Sequence, residues 1–156
     1  MNTMISATHL HAMLVHFPIA LLIVGFLADF YGFFSGRPFF KQAGLFLLLL
    51  GAAGAAAAYF SGETAGEGME EGSLGQAVAL HEQAALITVW ASVAVVLVRL
   101  SLVALKRFQG WPGLISIVLF ALLIASVART GYLGGQLVYR HAAGVELSLP
   151  TFSDTE

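Results

Sequence analysis

Four long apolar blocks dominate the sequence, and they leave one kind of architecture open. They run from about Met13 to Phe34, Ala43 to Phe60, Ala77 to Leu105 and Pro112 to Tyr139. A helix needs roughly 20 mostly apolar residues to cross the hydrocarbon core of a bilayer. In lipid every backbone polar group must find a partner within the protein, so such blocks become helices. The pattern predicts an all-α integral membrane four-helix bundle with up-down topology, one transmembrane domain over residues 1–156. Composition agrees. Only 10% of the residues are charged, where a soluble domain carries about a quarter.

The breaks between blocks have chemical causes. Ser35-Gly36-Arg37-Pro38 stops the first helix, because Pro cannot continue one and Gly suits a C-terminal cap. Ser61 to Gly75 is rich in Gly and Glu, lacks Lys and Arg, and reads as a solvated loop. Gln109-Gly110-Trp111-Pro112 turns the chain again, with Trp111 suited to the interface and Pro112 to a first helical turn. The second block holds a run of Gly and Ala from Gly51 to Ala58 and is weakly hydrophobic. Small residues are what close packing in lipid requires, so it still counts as a span.

Basic residues set the expected orientation. Arg37 and Lys41 follow the first span, and Lys106 and Arg107 follow the third, with Arg99 just inside it. The opposite side carries Glu63, Glu67, Glu70 and Glu71. Basic loops stay in the cytoplasm, so both termini are expected on the outer side, periplasmic if the host membrane is a bacterial inner membrane. The N-terminal residues lack the positive segment of a signal peptide, so the first block is expected to remain in the mature protein. A net charge of −2 and the lack of a basic patch argue against a nucleic-acid partner.

There is no cysteine. That excludes disulfides, thioether-attached haem, thiolate zinc sites and cysteine-held iron–sulfur clusters. Any cofactor must be held by other side chains, and the histidines are the candidates.

The five histidines all fall on the expected outer side: His9, His11 and His16 by the first span, His81 opening the third, and His141 closing the fourth. At about 1.5 Å per residue, His81 and His141 lie about 40 Å above the inner ends of their helices, His11 about 35 Å and His16 about 27 Å. A cluster at the outer interface follows, not a site at mid-bilayer. His81, Ala85, Thr88 and Ser92 share one helix face, and so do His141, Gly134 and Thr130. Gly51, Gly54, Ala58 and Ser61 form a similar stripe on the second helix. Small, polar faces beneath histidines leave room for a flat ring. The first and third helices are diagonal in an up-down bundle, so His16 and His81 are expected as axial ligands of a haem iron. His11 and His141 are expected as a second pair or a supporting shell. Arg129 and Arg140 would pair with haem propionates. His9 reads as a residue of a flexible tail. Asp29 and Arg99 read as a structural ion pair, with a proton path or a snorkelling Arg99 as the alternatives.

Three stretches resemble a known family. His11-Ala-Met-Leu-Val-His16-Phe-Pro-Ile-Ala-Leu-Leu is similar to the opening motif of the membrane proteins called domain of unknown function 2231. His81-Glu82 resembles their mid-chain motif, and Gly131-Tyr-Leu-Gly-Gly-Gln-Leu-Val-Tyr-Arg-His141 their closing one. Members often have Pro where this chain has Ala12, and Gly where it has Ala142. These exchanges are expected to relax the local backbone and keep the imidazoles. The resemblance implies four helices and points to His11, His16, His81 and His141.

The expected function is a small membrane cytochrome holding haem b, exchanging electrons with a periplasmic carrier or a quinone. The alternatives are a Cu, Zn or Fe site built from His11, His16, His81 and His141 with Glu82, and a cofactor-free structural subunit of a larger membrane complex. No nucleophile elbow, phosphate loop or zinc-protease motif suggests catalysis by the chain alone. The small-residue faces would permit a homodimer and would equally serve packing within one chain.

Overall fold

The structure is a computed structural model, and it describes residues 6–69 and 71–145. The described residues form four helices: α1 (Ala7–Ser35), α2 (Pro38–Gly66), α3 (Gly72–Ala104) and α4 (Gly110–His141). All four are long and apolar enough to span a membrane. Each packs on its chain neighbours, and α4 closes the ring against α1. The α1 and α3 backbones do not meet across the diagonal.

The expected stop signals act as read. Gly36 takes a left-handed conformation at φ 73° and donates its N–H to the Gly32 carbonyl, and Pro38 opens α2. The weakly hydrophobic second span is α2, and it packs most closely of all, against α1. A Cβ on Gly44 would come within 2.8 Å of the Asp29 backbone, and one on Gly51 within 2.7 Å of the Leu22 side chain. The missing side chains let the two helices approach at a distance that dispersion rewards in lipid. Leu22, Leu48, Val95, Phe120, Leu123 and Val127 fill the bundle centre. Phe17, Phe46, Trp90 and Leu97 point outward, as lipid-facing residues must.

Two boundaries differ from the sequence expectation. Ser61 to Gly66 is helical and extends α2, although its Gly and Glu read as loop. The helix α1 begins at Ala7, ahead of the expected Met13, so His9 lies on it and not in a tail, and His11 lies within it. Its N-cap is Ser6, whose hydroxyl accepts the His9 N–H at 3.3 Å. Of the acidic stretch, Glu63 belongs to α2, and Glu70 lies outside the described residues.

The helix α4 ends on Ala142, which sits at φ 51°. Alanine there strains the turn, contrary to the expected relaxation, because its Cβ crowds the carbonyl in the left-handed region. An Ala142→Gly variant should therefore be more stable by about 1 kcal/mol. Its unfolding midpoint in a denaturing detergent titration should rise, and an unchanged or lowered midpoint would contradict this.

At the basic end, Arg99 reaches across the diagonal to Asp29. Its Nε and Nη2 donate to the two carboxylate oxygens, each at 2.9 Å, and Nη2 also donates to the Lys41 carbonyl at 3.0 Å. The Arg99 Cζ lies 3.4 Å from the centre of the Phe108 ring. Both charged side chains are buried, so Arg99 does not snorkel.

Candidate functional site

At the other end the helices diverge around a cavity of about 700 Å³. Ligand pockets run from about 300 to 1,000 Å³, so this one would take a cofactor-sized group. His9, His11, His16 and His81 all line it; His141 does not. Of the small faces read from the sequence, Ala58, Ala85, Thr88, Thr130 and Gly134 line the wall, together with the larger Pro18, Ile19 and Leu22.

Two imidazoles are held firmly, and each is held by a different neighbour. His11 on α1 donates Nδ1–H to the Ser61 hydroxyl at 2.9 Å. Ser61 gives its own proton to the Ala58 carbonyl at 2.8 Å, so its oxygen is the acceptor for His11. His81 on α3 donates Nδ1–H to the Thr130 carbonyl at 3.1 Å. A carbonyl only accepts, so this proton also sits on Nδ1. Both Nε2 atoms therefore keep a free lone pair.

Glycines make the seats for these rings. A Cβ on Gly62 would lie 3.0 Å from His11 Cε1, and a Cβ on Gly134 would lie 3.1 Å from His81 Cε1. Both rings are half-buried. A polar network supports His81 from below. Thr88 donates to the Ala84 carbonyl and meets the hydroxyls of Ser126 at 2.7 Å and Thr130 at 2.9 Å.

The other sequence candidates are placed differently. His16 is exposed, and its Nδ1–H goes to the Ala12 carbonyl of its own helix. His141 is half-buried at the end of α4, outside the cavity lining. Arg129 and Arg140 are exposed and outside it as well. Glu82 lines the cavity, as do Tyr59 and Glu63. Among the described residues, no group of three or more His, Asp and Glu side chains comes together as a metal cage. The sequence places Ser61 and Thr130 on small, polar faces but does not mark either as a histidine's partner, and nothing in it singles out Gly62.

Residues 7–147 match the family model described as predicted membrane protein (DUF2231). The chain belongs to this family. No curated protein and no solved structure matches it. The three stretches that resemble family motifs fall within the match: the first holds His11 and His16, the second His81 and Glu82, the third Gly134 and His141. These stretches, far apart in the chain, thus meet at one end of the bundle, and three of their histidines, His11, His16 and His81, line one cavity.

Proposed function

We propose that this chain is a small b-type membrane cytochrome that holds haem b between His11 and His81. It would lie in a bacterial inner membrane with both termini in the periplasm, and exchange electrons with a periplasmic carrier or a quinone. One observation carries the reading. Two imidazoles on diagonal helices enter one cavity with Nδ1–H tied back and Nε2 free. Ligating histidines are held in this way, by an acceptor on the far ring nitrogen that fixes tautomer and orientation.

His11 takes the place given to His16 in the sequence reading. The Ser61 anchor and the Gly62 seat favour it, while His16 is exposed and bonded within its own turn. His11 and His81 would hold the haem, which would supply one-electron chemistry when bound. Without cysteine the attachment is non-covalent. The aliphatic and small residues of the wall would exclude water from the ring faces. Arg129 and Arg140 do not line the cavity, so nothing assigns them the propionates.

A transition metal is the second reading, favoured by Glu82 on the same cavity wall. Structural zinc sites use about four protein ligands, and the two anchored imidazoles would suit a haem better.

The haem content of protein purified from cells grown with ample haem precursor tests the reading. Stoichiometric haem with negligible copper, zinc and iron outside haem is the expected result. Stoichiometric metal without haem would move the site to the second reading. Full activity of a host respiratory complex without all four motif histidines would favour the structural subunit.

A Ser61→Ala variant probes the anchor. Loss of an outer-shell partner weakens metal-site affinity by about 10- to 100-fold. Haem retained after dilution into haem-scavenging apomyoglobin should fall accordingly. Retention equal to the parent would mean that Ser61 does not orient a ligand.

A further inference from the structure

A second cavity, of about 300 Å³, lies at the opposite, basic end of the bundle. Lys41, Arg99 and Lys106 supply three cations to its wall, Gln42 and Gln109 supply amides, and Phe108 forms part of the apolar remainder. No carboxylate lines it. Arg99 is balanced by Asp29, but among the described residues neither lysine has an ion-pair partner. Two lysines without an ion-pair partner among the described residues therefore border one small, mostly apolar space.

The backbone adds an independent sign. Beyond α3 the Lys106 N–H bonds to the Val103 carbonyl and the Arg107 N–H to the Leu102 carbonyl. This is the helix-ending turn whose left-handed position is usually glycine. Here Lys106 occupies it at φ 55°. A lysine held in that conformation is strained, and such strain clusters where a side chain is needed for binding.

We propose that this cavity binds the headgroup of an acidic phospholipid. Lys41 and Lys106 would take the phosphate, and the apolar wall would take the glycerol and the first carbons of the chains. Trp111, exposed just past Gln109, fits the headgroup level of a bilayer, which puts the cavity at the depth of lipid phosphates. Basic pockets between spanning helices bind acidic headgroups through this charge arrangement. The proposal is independent of the histidine cavity.

Native mass spectrometry of the full chain, released from micelles containing phosphatidylglycerol or phosphatidylcholine, tests it. The parent should retain phosphatidylglycerol at least about tenfold better than phosphatidylcholine, and K41Q/K106Q should lose that preference. A Lys106→Gly variant guards against misfolding. It should melt at a higher temperature, because the strain is gone, yet retain less phosphatidylglycerol. Equal retention of the two lipids by the parent would overturn the proposal, and so would undiminished preference in K41Q/K106Q. Displacement of the lipid by millimolar inorganic phosphate would reassign the cavity to a free anion and overturn the lipid assignment.

Discussion

An Arg99→Met variant should be destabilised by about 3–5 kcal/mol, the cost of leaving one member of a buried ion pair alone. The cause is the position of the pair. Asp29 is buried against Gly44, so without the guanidinium its charge would be left buried and unpaired. Without Arg99, α1 and α3 also lose the bond that ties them across the diagonal. Asp29→Asn alone should be costly as well, since Arg99 would remain buried with its charge uncompensated. The double variant Asp29→Asn/Arg99→Met should recover much of the loss, because removing both charges removes the desolvation problem. Unfolding in a denaturing detergent titration reads all three. Strict additivity of the two single losses in the double variant would show that the pair does not act as a unit. A near-neutral Arg99→Met would show that the bond contributes little.

The second large effect is expected at the histidines. His81→Ala and His11→Ala should each purify with less than about a tenth of the parent's haem, because removing a ligand costs at least as much as disturbing its outer shell. His16→Ala should keep most of the haem, since its ring is exposed and bonded within its own helix. The order of the variants decides the ligand pair. Haem lost from His16→Ala and kept in His11→Ala would restore the pair expected from the sequence. All variants should keep the parent's helical circular dichroism, since neither ring fills the bundle core.

Much of this architecture is legible in the residues themselves. The four spans follow from block length, Gly36 and Pro38 mark the first turn, and the Gly-Ala run of α2 announces a tight seam. The inward stripe of His81, Ala85, Thr88 and Ser92 follows from helical spacing, and Thr88 and Ser92 are indeed buried. The ion pair between Asp29 and Arg99 is legible too, as two opposite charges near the same end of two apolar helices.

The preference for His11 over His16 was less accessible. It depends on Ser61, in a stretch whose Gly and Glu read as loop. Packing against α1 and α3 keeps that stretch helical, and local composition does not encode such support. It depends also on where α1 begins. Ser6 ahead of the apolar run was a usable capping signal, and would have moved His9 from the tail onto the helix and extended the first helix past His11. The Thr130 carbonyl could not be found from residue types, because every residue has one. The contact of Phe108 with Arg99 arises from a loop conformation that no periodicity predicts. The left-handed turns at Lys106 and Ala142 are similarly hidden, since neither residue type announces a positive φ.

The central claim is that His11 and His81 hold one haem through their free Nε2 atoms. An absorption spectrum of the detergent-purified protein, oxidised and then reduced with dithionite, tests it most directly. The account predicts a Soret band that shifts on reduction, with sharp α and β bands from a six-coordinate low-spin haem. A featureless visible spectrum from protein produced with ample haem, reduced or not, would contradict it.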